Sequence, residues 1–229
     1  MNGIILISAY NSAATLSNVL DELKDHNYLN VVLIDDGSDD NTAEIARSYG
    51  VHVIQHEKNY GKGAALQTGF HYASGQEIDF VITLDADEQH PVQFIPDFLA
   101  LHQKHPDAVL LGTRQRNKNM PWIRKFSNSI SAFLISKRAK QNIYDAQCGF
   151  RLIPKRYLSW HFSSLRGFIF ELEVLIALAK NAVDFKFVPI PTIYSKNQSK
   201  MTYFDSTFKF IFMYITSFFK SYKQRNHDS

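Results

Sequence analysis

Short apolar runs alternate with helix-like stretches through the first half of the chain, and this alternation is the feature that most constrains the fold. The apolar runs are residues 3–8, 31–35, 51–55, 79–85 and 108–114, and such runs are typical of buried strands. The stretches with helical spacing are residues 13–26, 41–49, 63–74 and 92–104. This alternation predicts an α/β fold with a mostly parallel central sheet and helices on both faces.

The second half of the chain is less regular. Its pattern predicts helices over 121–140 and 169–181, a strand over 185–190 and a phenylalanine-rich helix over 204–222. The length of 229 residues favours one large core. We therefore expect one domain over 1–203, followed by an amphipathic helix and basic tail over 204–229.

Three sequence features bear on the compartment. Cys148 is the sole cysteine, so no internal disulfide can form and a reducing compartment is favoured. The first residues, MNGIILIS, lack the basic start and long apolar run of a signal peptide, and we interpret them as the first strand. No run reaches the roughly 18 uncharged apolar residues that a spanning helix needs. We expect a cytoplasmic location.

Charge is divided unevenly along the chain. Residues 1–90 carry 14 acidic and 4 basic side chains, whereas residues 91–229 carry 8 acidic and 21 basic ones. The basic residues include a run without acids from Arg114 to Lys140. This run is either a solvated basic face or half of a divided site, with carboxylates for a cation in one half and cations for phosphates or lipid headgroups in the other. The modest net charge of +3 argues against nucleic acid as a partner.

Polar clusters follow three of the predicted strands. Tyr10 and Asn11 follow the first strand, Asp35 and Asp36 end the second, and the segment 85–87 ends the fourth. Ligands of parallel α/β sheets gather at the carboxyl ends of the strands. The sequence therefore predicts a ligand site at that edge.

The segment Asp85-Ala86-Asp87-Glu88-Gln89 is a candidate metal site. Two carboxylates two residues apart can hold Mg²⁺ or Mn²⁺ and leave positions for substrate phosphates, and Gln89 could add a neutral oxygen. The alternative is a polar loop that caps the helix near Pro91. An EF-hand is excluded, because His90 and Pro96 stand where that loop requires Gly and Glu.

Two glycine-containing turns are further candidates for ligand contacts. Gly37 follows Asp35 and Asp36 in a strand-to-helix turn, and the mutual repulsion of the two carboxylates calls for a counter-ligand such as a ribose hydroxyl or a base N–H. Lys62 lies in Gly61-Lys62-Gly63, which is an incomplete G-x-G-x-x-G motif after the third strand, so a Rossmann dinucleotide site is disfavoured. A flexible turn that leaves Lys62 free to meet a phosphate is the simpler interpretation.

Together these motifs resemble family 2 glycosyltransferases, in particular the dolichyl- or polyprenyl-phosphate sugar synthases, over about residues 3–205. The motifs in chain order are Ser8-Ala9-Tyr10-Asn11, Ile34-Asp35-Asp36-Gly37-Ser38, Gly61-Lys62-Gly63-Ala64, Leu84-Asp85-Ala86-Asp87, Gly112-Thr113-Arg114 and Asp145-Ala146-Gln147-Cys148-Gly149-Phe150-Arg151. Each motif alone is weak, but six in order at suitable spacing are specific. The resemblance implies a GT-A fold that binds a nucleotide-sugar.

The resemblance also implies roles for the matching residues. The implied nucleotide-sugar contacts are Ser8, Tyr10, Asp35, Asp36, Lys62, Asp85, Ala86, Arg151 and Lys200, the implied metal ligands are Asp85, Asp87 and Gln89, and the implied catalytic residues are Asp87, Asp145, Arg114 and Arg124. In this scheme the two arginines face the acceptor phosphate, and Asp145 lies at the transfer site. The family usually has Pro at the position of Ser8 and Glu at the position of Ser12, which leaves the nucleotide open between GDP and UDP.

The implied reaction is transfer of a sugar with inversion, assisted by Mg²⁺ or Mn²⁺. A polyprenyl phosphate acceptor is already an anion and needs cations rather than a strong base. A saccharide hydroxyl acceptor needs a carboxylate base, for which Asp145 is the best candidate by motif. A binding module that has lost turnover is the third alternative, and the intact Asp85, Asp87 and Gln89 set argues against it.

The C-terminal stretch bears on the acceptor. Its apolar residues on one helical face are Phe204, Phe208, Phe212, Ile215 and Phe219. Only uncharged residues lie between Lys209 and Lys220, too few to span a bilayer. The stretch over 204–222 is either an interfacial helix on a membrane or a helix docked on the protein's own core or on a partner subunit.

Overall fold

The computed structural model describes residues 1–114, 122–160, 168–193, 212–220 and 222, with the side chains of 122–125 and 168 outside that description. The strands are β1 (Gly3–Ala9), β2 (Val31–Asp35), β3 (His52–Gln55), β4 (Phe80–Asp85), β5 (Val109–Arg114), β6 (Arg151–Pro154) and β7 (Phe185–Ile190). The helices are α1 (Ala13–Asp25), α2 (Thr42–Ser48), α3 (Lys62–Ser74), α4 (Ile95–Lys104), α5 (Trp122–Ala139) and α6 (Phe168–Lys180).

The described strands form one sheet in the order β3-β2-β1-β4-β6-β5-β7. Strand β6 runs antiparallel to β4 and β5, and every other pairing is parallel. The predicted α/β fold with a mostly parallel sheet is confirmed. The carboxyl ends of β1, β2 and β4 consequently meet at one edge, where the polar clusters lie.

Two apolar cores cover the two faces of the sheet. In β1, Ile4 and Leu6 pack on the side of α3, α5 and α6, whereas Ile5 and Ile7 pack on the side of α1 and α4. Alternate side chains of a strand point to opposite faces, so a strand covered on both sides must be apolar throughout. This is why the buried strands appear in the sequence as continuous apolar runs.

Strand β6 was not among the predicted strands. It has four residues and begins with a charged one, Arg151, which is buried at 3% exposure. The guanidinium donates to the carbonyl oxygens of Cys148, Glu171 and Ala146 at 2.9, 2.9 and 3.0 Å. Arg151 thus connects the segment before β6 to α6 through backbone carbonyls, and its contact with a nucleotide-sugar stays a prediction.

The described part of the C-terminal stretch docks on α6. Residues 212–216 are helical, and Met213 and Tyr214 belong to the core on the α6 side. The ammonium of Lys220 lies 3.2 Å from the buried carboxylate of Glu173. Within the described ranges, no helix is both long and apolar enough to cross a bilayer. The predicted boundary at 203 falls outside the described residues.

A glycine shapes the turn after β2. Gly37 has φ of +71°, and a Cβ at this position would lie 2.4 Å from the backbone carbon of Lys58. The left-handed conformation and the close backbone approach both require glycine. The turn after β2 therefore packs directly on the segment that leads into α3.

We predict that Gly37→Ala destabilises the protein more than Gly50→Ala. Gly50 has φ of +74° with open space around it, so both substitutions add backbone strain of about 1–2 kcal/mol. At Gly37 the collision with Lys58 should add about 1–3 kcal/mol more. Urea unfolding of the two variants measures the difference. Equal losses of stability would show that the close approach of Gly37 to the Lys58 backbone adds nothing to the cost of the substitution.

Candidate active site

The register of the sheet places Ser8 at the centre of the carboxyl edge. Ser8 pairs with Ile34 of β2 on one side and with Asp85 of β4 on the other. Its hydroxyl oxygen is buried and has no hydrogen-bond partner within the described part of the chain. A buried hydroxyl without a partner is costly, which marks Ser8 as a candidate ligand contact.

Tyr10 lies just beyond β1 and exposes 44% of its surface. The adjacent Asn11 connects this loop to the turn after β2 by two hydrogen bonds. Its N–H donates to Ser38 Oγ at 2.9 Å, and its side-chain oxygen accepts from Asp39 N at 2.8 Å. The exposed Tyr10 ring is thus held on a fixed loop next to the Asp35–Ser38 turn.

The carboxylates of Asp35 and Asp36 are buried and find their donors within the protein. Asp35 accepts from the N–H and hydroxyl of Ser38 and from Gln55 Nε2. Asp36 accepts from His56 Nδ1 at 2.7 Å and from two backbone N–H groups of the turn that leads into α3. The counter-ligand that the sequence calls for is therefore supplied by the chain itself, and Asp36 holds that turn in place.

Lys62 and Asp85 form the central ion pair of the site. Lys62 Nζ lies 2.6 Å from Asp85 Oδ1 and 3.4 Å from Glu171 Oε2. Burial, the largest single effect, would raise the pKa of Asp85, but the surrounding positive groups, with Lys62 foremost, together hold that pKa below its ordinary value. The sequence suggested a lysine free to meet a phosphate. The structure instead pairs it with two carboxylates.

His90 supports this pair as a neutral side chain. Its Nδ1 accepts a hydrogen bond from the Asp85 N–H at 2.9 Å, and burial lowers the pKa of His90 to about 4. Gly149 closes the other side, because a Cβ there would lie 3.2 Å from both Lys62 Nζ and Asp85 Oδ2. The glycine thereby leaves room for the ion pair.

Asp87 is less constrained than Asp85. It is partly exposed and accepts a hydrogen bond from Gln89 N at 3.1 Å. Burial, and then the charge of Asp85, raise the pKa of Asp87, as expected for neighbouring carboxylates. Ala86 between them is buried, and its carbonyl accepts from Thr15 Oγ1 at 2.6 Å, which fixes the loop.

The donor set fits a hard divalent cation. Within the described ranges, no group of three or more His, Cys, Asp and Glu side chains forms a complete metal site. Two carboxylates that leave the remaining positions to phosphate oxygens and water suit Mg²⁺ or Mn²⁺. A cation bound by the two carboxylates would favour the ionised form of Asp87 and so lower its pKa.

Arg114 and Asp145 form a second, bidentate pair at the end of β5. Arg114 Nε and an Nη donate to the two carboxylate oxygens at 2.7 and 3.0 Å. Asn128 of α5 and the Gln147 N–H donate to Asp145 at 3.0 Å each. Burial, the largest single effect, would raise the pKa of Asp145, but the bond and charge of Arg114 together with backbone N–H donors lower it.

These contacts change the role expected of Asp145. A general base needs a carboxylate that can take a proton near neutral pH. Asp145 is 3% exposed, already accepts several hydrogen bonds and is held ionised. These contacts argue against Asp145 as a general base, the role that a hydroxyl acceptor would require, and indicate that it orients Arg114.

Two predicted residues cannot be placed. Arg124 lies in α5 with its side chain outside the description, and Lys200 lies outside the described residues. Conversely, sequence reasoning did not assign Asn128, His90, Glu171 or Gly149 to the site. His90 follows the Asp85–Gln89 segment and Gly149 lies within the last motif, whereas Glu171 and Asn128 lie outside the motifs that carry the resemblance.

Comparisons with known proteins agree with this geometry. The chain matches the family model described as Glycosyl transferase family 2 over residues 4–162. It is 32% identical over 215 residues to a UDP-N-acetylglucosamine–dolichyl-phosphate N-acetylglucosaminyltransferase of Methanococcus voltae, with 84% of this chain and 86% of that protein covered. It is 35% identical over 158 residues to an undecaprenyl-phosphate 4-deoxy-4-formamido-L-arabinose transferase of Proteus mirabilis, with 64% and 47% covered.

Among solved structures, glucosyl-3-phosphoglycerate synthase of Mycobacterium tuberculosis, crystallised with Mn²⁺, UDP-glucose and phosphoglyceric acid, superposes with a TM-score of 0.75 at 19% identity, over 94% of this chain and 79% of that one. The mostly parallel sheet with its flanking helices is thus a GT-A fold. The chain belongs to glycosyl transferase family 2.

We predict that Asp145→Asn costs about 3–5 kcal/mol of stability near neutral pH, because it leaves the largely buried Arg114 guanidinium without its counter-charge. Since the folded protein lowers the pKa of Asp145, its stabilisation is complete above the unfolded pKa and is lost as pH falls through the folded one. The difference from wild type should therefore shrink below about pH 4.

The matched control is Asp107→Asn, which removes an exposed ion pair with Arg156 of 2.7 Å. Exposed pairs contribute about 0–1 kcal/mol. Unfolding in urea over a range of pH measures both variants, and a loss at Asp145 as small as that at Asp107 would contradict the assigned role.

Proposed function

We propose that this protein transfers a sugar, with inversion, from a UDP-sugar to a polyprenyl phosphate. The observation that carries the proposal is the arrangement of charges at the carboxyl edge of the sheet. The carboxylates of Asp85 and Asp87 lie on the same edge as Arg114, a cation that Asp145 holds in a fixed orientation. Burial alone would lower the pKa of Arg114, but its bond and charge interaction with Asp145 raise it, and the charge of Asp85 adds a smaller effect in the same direction.

The first part of the site suits the donor. Asp85, Asp87 and Gln89 would hold the cation, with Ser8, Tyr10, Asp35 and Asp36 on the nucleoside side. When bound, Mg²⁺ or Mn²⁺ supplies Lewis-acid stabilisation of the charge that develops on the leaving diphosphate. A uridine nucleotide is favoured over a guanosine nucleotide by the Methanococcus relative, which is named for a UDP-sugar, and by the UDP-glucose complex of the structural neighbour.

The second part suits an anionic acceptor. A phosphate brings its own nucleophilic oxygen and needs positive charge to hold it. Arg114 offers that charge, and its pairing with Asp145 fixes the direction of the guanidinium. On resemblance alone, Arg124 and Lys200 would add to it. The two relatives named for dolichyl and undecaprenyl phosphate act on this kind of lipid.

A saccharide hydroxyl is the weaker alternative as acceptor. It would need a base to remove its proton, and Asp145, the candidate that the motif suggested, is buried, ionised and occupied by Arg114, Asn128 and Gln147. A carboxylate committed to these donors gains little by taking a further proton. The geometry therefore favours the phosphate.

We predict that turnover requires a divalent cation. With UDP-sugars, a polyprenyl phosphate and Mn²⁺, product should form, and excess chelator should abolish its formation. Asp87→Ala should reduce turnover by at least about a hundredfold, since it removes a ligand of a Lewis acid that stabilises the transition state.

Glu88→Gln is the matched control for this prediction. Glu88 is the exposed neighbour of Asp87 and bonds Asn18, so its loss changes the local charge without removing a proposed ligand. Thermal unfolding should show both variants folded. Full activity in chelator, or an Asp87→Ala enzyme as active as Glu88→Gln, would reject the metal requirement.

The C-terminal stretch supports a peripheral membrane contact. Its buried side docks on the core through Met213 and Tyr214, while Phe212, Ile215 and Phe219 are 71%, 55% and 90% exposed. Exposed aromatic and aliphatic side chains suit the interface of a bilayer. The self-docked helix and the interfacial helix are thus compatible, because opposite sides of the stretch serve the two contacts.

We predict that the triple change Phe212→Ser, Ile215→Ser and Phe219→Ser lowers binding to anionic vesicles at least about tenfold, since each change removes apolar area from the interface. Leu29→Ser is the control, because Leu29 is 79% exposed in another part of the chain. Flotation with phosphatidylglycerol vesicles at low salt measures both, and equal flotation of the two variants would exclude the proposed contact. Truncation is avoided, since Lys220 and Tyr222 pair with Glu173.

A further inference from the structure

Lys62 is paired with Asp85, the same carboxylate that the proposed metal site would use. Lys62 Nζ is 2.6 Å from Asp85 Oδ1, the distance of a charge-assisted hydrogen bond. A divalent cation bound by the same carboxylate would stand within a few ångströms of this ammonium. Two positive charges that close repel each other even in a medium of high effective dielectric. Lys62 and the cation therefore compete for Asp85.

Glu171 offers Lys62 a second partner. Its Oε2 lies 3.4 Å from Lys62 Nζ, and its side chain is only 4% exposed. Glu171 belongs to the first turn of α6, so its carboxylate is held by a different element from Asp85. A short movement of the flexible lysine side chain would shorten the contact with Glu171 and lengthen the contact with Asp85.

The surrounding backbone favours such a movement over a wholesale rearrangement. Gly61, which precedes Lys62, has φ of +93°, and its N–H donates to the buried Asp36 at 2.6 Å. The start of α3 is thus fixed. Gly149 leaves the space next to Lys62 Nζ free of a side chain, so the end of the lysine can shift while its backbone stays in place.

We propose that Lys62 is an internal counter-ion of the cation site, which neutralises Asp85 when no metal is bound and moves towards Glu171 when a divalent cation binds. The inference rests on the metal requirement of the proposed function and adds a control of cation affinity. Displacing Lys62 costs part of the binding free energy, so the cation alone binds weakly. The added negative charge of a nucleoside diphosphate restores tight binding, and cation and donor therefore bind together.

Direct Mn²⁺ binding tests this proposal without any need for turnover. Electron paramagnetic resonance of free Mn²⁺ gives the dissociation constant for the full-length protein and its variants. Lys62→Met should bind Mn²⁺ about tenfold more tightly than wild type in the absence of nucleotide, since one charge-assisted contact no longer has to be broken. UDP should tighten Mn²⁺ binding less in Lys62→Met than in wild type.

Glu171→Gln tests the second half of the exchange and remains informative if Lys62→Met does not fold. It should weaken Mn²⁺ binding about tenfold, because Lys62 loses the partner to which it moves. Glu88→Gln, which removes an exposed carboxylate beside Asp87, should have a clearly smaller effect. In the double variant with Lys62→Met, the effect of Glu171→Gln should shrink to that of Glu88→Gln, which is the coupling expected of groups that act on each other.

The outcomes separate this proposal from the proposed function. If wild type binds Mn²⁺ and Lys62→Met binds it equally or more weakly, the counter-ion role is wrong while the metal requirement stands. Equal effects of Glu171→Gln and Glu88→Gln would likewise overturn the exchange. If neither wild type nor any variant binds Mn²⁺ with or without UDP, both proposals fail together.

Discussion

The structure depends on how a cluster of carboxylates is kept stable at one edge of the sheet. Parallel strands bring their carboxyl ends together, and in this chain Asp35, Asp36 and Asp85 all lie there. Each has its own partner: Asp85 pairs with Lys62 at the start of α3, Asp36 holds the turn before α3, and Asp35 is bonded by Ser38 and Gln55. The negative charge of the edge is thereby also a set of ties between β2, β4 and α3.

The same ties connect the donor half of the molecule to the other half. Lys62 also faces Glu171 at the start of α6, and Arg151 binds the Glu171 carbonyl together with those of Ala146 and Cys148. Because β6 is inserted antiparallel between β4 and β5, the segment that precedes it returns to the carboxyl edge. Asp145 and Gly149 reach the site by this route, and Arg114 is oriented as a result.

The sequence predicted the parallel strands and the helices well, because strands buried on both faces are continuous apolar runs and helices show helical spacing. It did not predict β6, whose first residue is an arginine that is buried with its guanidinium bonded to two carbonyls of the preceding loop and one of α6. The strand-end position of Asp85 and Asp87 was also predictable, since it follows from the runs themselves.

The partners of these charges were not predictable. Lys62 was expected to be free, yet its partners lie 23 and 109 positions further along the chain, at Asp85 and Glu171. Asp145 was the candidate base for a hydroxyl acceptor, but its donors Arg114 and Asn128 come from other elements. A pattern of residue types indicates which groups can ionise, whereas only the packed fold determines which of them neutralise one another.

The central claim is that the acceptor is a phosphate attached to a polyprenyl chain, held by positive charge without a general base. The most direct test presents the full-length protein with Mn²⁺, UDP-sugars and three acceptors: a polyprenyl phosphate, the same polyprenol without its phosphate, and a free monosaccharide. Mass spectrometry of the products measures transfer to each. We expect a glycosylated lipid phosphate and no product from the alcohol or the monosaccharide. Transfer to either hydroxyl acceptor at a rate equal to or above that for the phosphate would contradict it.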